Sequence, residues 1–137
     1  MQRMTPDRAQ KALGVQLDGR LSPCPDMPNC LCSQYPEDKA HKTDPLVFKG
    51  TVKDAVQKLK RVMGQMGRTE LVVEKENYLR FECTSFLFRF IDDVEFLVDP
   101  NRLVIHMRSA SRLGYSDLGA NRSRVEKIRE LWAEVHR

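Results

Sequence analysis

Four consecutive segments in the second half of the sequence alternate apolar with polar residues, which is the pattern of half-buried β-strands. They are Thr69–Lys75, Tyr78–Thr84, Phe86–Val98 and Arg102–Ser111. Only two residues join the first segment to the second, which predicts a β-hairpin. Because the connections are short and carry no helical crossover, the pattern predicts a four-stranded antiparallel sheet.

A helix is expected on either side of these strands. Thr51–Asp54 resembles a capping box, and Gly67 is suited to the position that follows a helix. The last helix is expected to start near Ser116 or Asn121 and to run to the C-terminus. Its apolar stripe comprises Val125, Ile128, Trp132 and Val135. The order α-β-β-β-β-α predicts an α+β fold in which two main helices cover one face of the sheet.

The N-terminal third of the chain differs in composition. Residues 1–20 are polar, have only a faint helical pattern and are expected to form a mobile or loosely docked lead-in. Residues 21–48 contain five prolines and three cysteines. Since proline fixes its own φ and restricts the preceding residue, this segment is expected to be a stiff surface loop. Residues 49–137 would then form the α+β core of a single 137-residue domain.

The charge pattern excludes some partners. The net charge is +4, from 23 basic and 19 acidic residues that are spread along the chain. Nucleic acid is therefore not an expected partner, since binders usually gather their basic residues into a patch. No run approaches the roughly 20 apolar residues of a membrane span. The first residues lack the apolar segment of a signal peptide. We expect a cytoplasmic protein, or a periplasmic or membrane-associated one if a leader has been removed.

The most polar stretch, Arg108–Arg124, joins the last strand to the last helix and contains four arginines. Cations at a helix N-terminus oppose the helix dipole by about 0.3–1 kcal/mol, so something negative must offset them. One interpretation is a structural ion-pair network with Asp92, Asp93 and Asp117. The other is a binding site for phosphate or carboxylate. The candidate binding residues are Arg108, Ser109, Ser111, Arg112, Asp117, Asn121 and Arg122, together with Asp92 and Asp93.

Asp92 and Asp93 do not form an obvious catalytic pair. Adjacent residues of a strand point to opposite faces, so one carboxylate cannot act as acid while the other acts as base at the same atom. Asp92 would share a face with apolar residues unless the strand bulges there. No further carboxylates suggest a metal site. The sequence therefore predicts no catalytic residue, no metal and no cofactor.

The cysteines leave several possibilities open. Cys24 and Cys30 flank a proline-rich loop whose length suits a disulfide. With Cys32 and His41 they have the ligand types of a zinc site, but not its usual spacing. They could also be free thiols, one of them a nucleophile if a histidine lies nearby. Cys83 lies on an apolar strand face and is expected to be part of the core.

The chain resembles the family catalogued as domain of unknown function 1499. The first matching motif runs from Gly19-Arg20-Leu21 through Pro23-Cys24-Pro25 and Pro28-Asn29-Cys30 to Ser33-Gln34. The second combines Phe90–Phe96 with Arg108–Arg112 and Gly114–Arg122. The resemblance spans residues 14–132. It implies no activity and no functional residues, because none is assigned to the family. It also implies relatives that are exported, membrane-anchored or plastid-targeted. Where this chain has Leu31-Cys32, the family usually shows a small residue or valine followed by serine.

The favoured function is a non-enzymatic binding or accessory module. Its ligand would be a small anion or an anionic segment of a protein partner, bound by the arginine-rich residues named above. One alternative is a thiol-dependent or hydrolytic enzyme that uses Cys24 or Cys30. Another is a structural partner of a membrane-associated complex.

Overall fold

The computed structural model describes residues 6–85, 89–113 and 119–136 of the chain. These residues form three helices and six strands, in an α+β fold with an antiparallel sheet. The helices are α1 (Pro6–Lys11), α2 (Val52–Met66) and α3 (Ala120–Val135). The strands are β1 (Cys30–Cys32), β2 (Leu46–Val47), β3 (Thr69–Glu74), β4 (Tyr78–Thr84), β5 (Ile91–Asp99) and β6 (Val104–Ser111). The sheet order is β1-β6-β5-β4-β3, and β2 also pairs with β6.

The prediction of four strands was wrong, because the proline-rich segment contributes two more. In β1, Cys30 lies opposite Ala110 and Cys32 lies opposite Arg108 of β6. β2 pairs with the other end of β6. The prolines flank these strands and do not interrupt them, so the ladder hydrogen bonds can form. The segment is also not confined to the surface, since Leu21, Met27 and Leu31 are buried.

A side-chain cap begins α2, and a glycine with a positive φ borders each of the two main helices. The Thr51 side chain accepts a hydrogen bond of 3.0 Å from the Asp54 backbone N–H, and Gly67 follows α2 with a φ of 75°. α3 begins at Ala120, close to the predicted start at Asn121. Gly119 precedes α3 in the left-handed conformation, with a φ of 82° that favours glycine. The other predicted start, Ser116, lies outside the described residues.

The alternation along the strands gives the sheet two different faces. The face that we call the helix face packs against α2 and α3 through residues such as Leu79, Phe81 and Phe96. The Phe81 and Phe96 rings meet edge to face at 5.9 Å. The opposite face, which we call the outer face, is partly covered by the N-terminal third of the chain. There Leu21 packs with Tyr78 and Leu97.

The strand that carries the two aspartates is regular. The β4–β5 ladder runs without a register shift from Thr84 opposite Ile91 to Tyr78 opposite Leu97. The bulge lies instead in β3, between Leu71 and Val73. The long predicted strand begins at Ile91, and its residues 86–88 lie outside the described part. In the described ranges, no helix combines the length and the apolar character needed to cross a membrane.

Candidate functional site

Asp92 and Asp93 lie on opposite faces of the sheet, as strand alternation requires. Asp92 pairs in register with Cys83 and Ser111, and Asp93 pairs with Glu82 and Ala110. Both carboxylates are buried. Each must therefore find its own positive or hydrogen-bonding partner, because an unpaired buried charge is costly.

On the helix face, Asp92 meets the last helix. The Asp92 Oδ2 atom lies 2.8 Å from Nη2 of Arg124. Nη1 of Arg124 donates to Asn121 Oδ1 at 2.9 Å and to Ser109 Oγ at 3.4 Å. We call Asp92, Ser109, Ser111, Asn121 and Arg124 the helix-face cluster.

Asn121 is the centre of the helix-face cluster and is 1% exposed. Its Oδ1 accepts a hydrogen bond of 2.6 Å from Ser109 Oγ. Its Nδ2 donates to Ser111 Oγ at 2.9 Å and to the Asn29 carbonyl oxygen at 3.1 Å. One buried amide thus ties α3 to β6 and to the cysteine-containing loop. Such a saturated network fixes the position of the helix start.

On the outer face, Asp93 meets two arginines. Arg112 places Nε 2.8 Å from Asp93 Oδ2 and Nη2 2.6 Å from Glu82 Oε2. Arg80 places Nη1 2.8 Å from Asp93 Oδ1. Hydrogen bonding to Asp93 raises the pKa of Arg112 above its ordinary value. We call Arg80, Glu82, Asp93 and Arg112 the outer charged cluster.

A second ion pair is fully enclosed on the outer face. Arg108 and Glu95 are 2% and 0% exposed, and Arg108 Nη1 lies 3.5 Å from Glu95 Oε1. Glu95 Oε2 accepts hydrogen bonds from Tyr78 Oη at 2.6 Å and from the Gly14 N–H at 2.8 Å. Arg108 Nε donates to the Ser22 carbonyl oxygen at 3.0 Å. The N-terminal third therefore closes over this pair.

The Arg108–Glu95 pair is incompletely hydrogen-bonded. Arg108 Nη2 and Glu95 Oε1 are both buried without a hydrogen-bond partner among the described residues. Burial raises the pKa of Glu95, although Arg108 and the Tyr78 hydroxyl oppose the rise. Burial also raises the pKa of Tyr78 well above its ordinary value, and the Glu95 charge adds to the rise. Glu95 therefore binds a proton more readily in this enclosed pair than an exposed glutamate does.

The structure divides the residues that the sequence grouped together. The helix-face cluster contains Asp92, Ser109, Ser111 and Asn121. Arg108, Arg112 and Asp93 lie on the outer face. Arg122 is exposed on α3, and Asp117 lies outside the described residues. Three outer-face partners, Arg80, Glu82 and Glu95, were missed, although their parity in β4 and β5 matches that of Asp93.

Cys24 and Cys30 form a disulfide with a Cα–Cα distance of 5.6 Å. This pairing was one of the predicted possibilities, and it consumes both thiols. Cys32 and Cys83 are free and buried. Burial raises the pKa of Cys32, and it raises that of Cys83 to about 11. Among the described residues, no group of three His, Cys, Asp or Glu side chains could hold a metal ion.

His41 supports the disulfide loop. Its Nδ1 lies 2.8 Å from Asp38 Oδ2, and its Nε2 lies 2.6 Å from the Met27 carbonyl oxygen. Met27 belongs to the loop that the disulfide closes. Both ring nitrogens of His41 are thus engaged with acceptors, which gives the imidazole a positioning role in this loop.

The described residues form an α+β fold, an antiparallel sheet with two helices on one face and with buried carboxylates paired to arginines on both faces. The chain belongs to the family described as Protein of unknown function (DUF1499), whose family model matches residues 20–131. This match confirms the resemblance noted in the sequence. No curated protein and no solved structure matches the chain.

Proposed function

We propose that this protein is a non-enzymatic binding module for a carboxylate- or phosphate-bearing ligand, either a small anion or an acidic segment of a partner. The ligand would bind beside Glu82, at the border of the outer charged cluster. The observation that supports this most is the exposure of Arg112. Its side chain is 28% exposed, against 2% for Arg108 and 12% for Arg124.

A pocket next to the cluster supports this location. It has a volume of about 400 Å³ and is lined by Glu82 and by two further arginines, Arg68 and Arg89. Thr69, Thr84 and Ser85 add hydroxyl groups to the lining. Guanidinium and hydroxyl groups are the side-chain donors that commonly bind carboxylates and phosphates. Glu70 also lines the pocket, and its charge would weaken anion binding.

Glu82 would act as an internal competitor for the ligand. It contacts Arg112 Nη2 at 2.6 Å and its side chain is 27% exposed. Fully exposed ion pairs contribute only about 0–1 kcal/mol, and this half-buried pair is expected to lie near the top of that range, so an incoming anion can exchange with Glu82. Asp93 would keep holding Arg112 Nε during this exchange. The guanidinium group would then stay oriented, which lowers the cost of ordering on binding.

Two catalytic roles are disfavoured on physical grounds, one for the aspartates and one for the cysteines. Asp92 and Asp93 each hold an arginine on a separate face, so neither is available as the partner of the other in acid–base chemistry. An enzyme that used Cys24 or Cys30 would first require reduction of their disulfide. Disulfides persist in oxidising compartments, so the same bond supports such a compartment over the cytoplasm as the place of action.

Titration at low salt tests the proposal. Inorganic phosphate, acetate and a glutamate-rich peptide would each be added to the full chain and followed by calorimetry and NMR. Tighter binding of the peptide alone would identify an acidic partner segment, and comparable binding of phosphate would identify a small anion.

The Glu82→Gln variant provides the decisive arm. It removes the competing carboxylate and retains the shape of the side chain, so we expect anion affinity to rise several-fold. Arg112→Met should weaken binding, and Arg122→Met serves as the matched control because it removes the same charge on α3. The proposal would be wrong if Glu82→Gln left affinity unchanged and the Arg112 and Arg122 variants bound equally well.

A further inference from the structure

Three of the four cysteines lie within nine residues of one another. Cys30 and Cys32 both belong to β1. Alternate residues of a strand point to the same face and are separated by about 7 Å along it. The side chains of Cys30 and Cys32 therefore leave the strand on the same side, as neighbours.

Cys24 connects these two positions. It is bonded to Cys30 across a Cα–Cα distance of 5.6 Å. It also packs, half-buried, against the apolar group formed by Leu21, Cys32, Tyr78 and Leu97. The existing disulfide thus lies at the border of the group that contains the free Cys32 thiol. Disulfides form across Cα–Cα distances of about 4.4–6.8 Å, so the exchange requires the loop to bring Cys24 within that distance of Cys32.

We propose that Cys32 is an exchange partner of the Cys24–Cys30 disulfide. The Cys32 thiolate attacks Sγ of Cys24, a Cys24–Cys32 bond forms and the Cys24–Cys30 bond breaks. Cys30 leaves as a thiolate and takes up the proton that Cys32 released. One disulfide and one thiol are present before and after the step, so no oxidant or reductant is consumed.

The surroundings of Cys32 would control the rate of this exchange. Burial raises the pKa of Cys32, and the nearby Arg108 guanidinium opposes the rise only in part. Because the thiolate is the attacking species, exchange should be slow near neutral pH and should accelerate as the pH rises. The exchange would also change the surroundings of the enclosed Arg108–Glu95 pair. Cys24 is two residues from Ser22, whose carbonyl oxygen accepts the hydrogen bond from Arg108 Nε.

The first test is a Cys30→Ser variant of the full chain, purified without reductant and mapped by peptide mass spectrometry. We expect a Cys24–Cys32 disulfide in the folded protein. Cys24 and Cys32 that both remain open to alkylation, in a protein with native circular dichroism, would overturn the proposal.

The second test takes its main reading from the wild-type protein, so that reading does not depend on the folding of a variant. The native protein is incubated with iodoacetamide at pH 7 and pH 9, and the labelled cysteine is identified by mass spectrometry. Exchange predicts label on Cys30, several-fold more at pH 9, and a loss of that label in Cys32→Ser but not in the control Cys83→Ser. Label confined to Cys32, or none on Cys30 at pH 9, would contradict exchange.

Discussion

The two faces of the sheet neutralise their buried carboxylates in different ways. Each face carries a buried carboxylate from β5 and an arginine that neutralises it. On the helix face, Arg124 binds Asp92 at 2.8 Å within a network of hydroxyl and amide groups. On the outer face, Arg108 lies 3.5 Å from Glu95, and one polar atom of each residue lacks a hydrogen-bond partner among the described residues.

This difference indicates what each arrangement depends on. The helix-face cluster is held by many short hydrogen bonds, so the loss of one group leaves other partners in place. The Arg108–Glu95 pair depends on one charge interaction, on the Tyr78 hydroxyl and on the covering segment that includes Gly14 and Ser22. A buried pair of this kind contributes little net stability but is costly to break. The outer face should therefore be the more sensitive of the two to single substitutions.

Arg108→Met should give the largest loss of stability. It leaves Glu95 buried without a counter-charge, and breaking a buried ion pair costs about 3–5 kcal/mol. Glu95 can escape part of this cost by protonation, so the loss should be larger at pH 7 than at pH 5. Urea unfolding at both pH values measures the effect.

The matched control is the double variant Arg108→Met with Glu95→Leu. Replacing both members of a buried pair by apolar residues is often neutral or stabilising, so part of the lost stability should return. The recovery should be incomplete, because the Tyr78 hydroxyl and the Gly14 N–H lose the carboxylate that accepts their hydrogen bonds. If Arg108→Met instead cost less than about 1 kcal/mol at pH 7, the contrast between the faces would be wrong.

Arg124→Met should give a smaller loss, because Asp92 keeps its polar surroundings on the helix face. We expect a decrease of roughly 2–3 kcal/mol, near the upper end of the cost of an unsatisfied buried group. Asn121→Ala should cost a similar amount, since it removes four described hydrogen bonds of the cluster. A loss from Arg124→Met that exceeded the loss from Arg108→Met, in the same urea assay, would reverse the proposed order.

The pH dependence of stability provides a separate test of the buried Glu95 carboxylate on the outer face. Since burial raises the pKa of Glu95, the folded state holds this proton more tightly than the unfolded chain does. Stability should therefore fall as the pH rises from about 4.3, the usual pKa of glutamate, through the raised value in the folded protein. Glu95→Gln should remove this decline. A decline of the same size in Glu95→Gln, measured by urea unfolding between pH 4 and pH 8, would assign it to another group.

Strand alternation accounts for the part of this structure that the sequence could predict. It predicted the four long strands and required Asp92 and Asp93 to lie on opposite faces. The same parity puts Arg108 and Arg112 together on the outer face, whereas the predicted site combined them with Arg122 of α3 because all three are close in the chain. Closeness along the chain was a poor guide, because β6 and α3 direct their arginines to different sides of the sheet.

Other features depend on contacts that local patterns do not contain. Glu95 lies at a position typical of a solvent-facing strand residue, and it is buried only because the N-terminal third covers it. β1 and β2 have three and two residues, too few to show alternation. They form because β6 offers them a partner edge. Burial of this charged face is therefore a property of the tertiary fold, which no periodicity within β5 could have indicated.

The smallest expected effect tests whether the exposure of an outer-face arginine, and not its charge alone, determines how much it contributes to stability. Arg112→Met removes two ion pairs, but its side chain is 28% exposed and Asp93 stays bound to Arg80 Nη1 at 2.8 Å. We expect a loss of about 1 kcal/mol, within the range of exposed ion pairs. Arg122→Met, which removes the same charge from an exposed site on α3, should change stability by no more than about 0.5 kcal/mol.

If Arg112→Met were as damaging as Arg108→Met, the outer charged cluster would be a structural element throughout. Arg112 could then not exchange Glu82 for a ligand at small cost, and the proposed binding site would lose its physical basis.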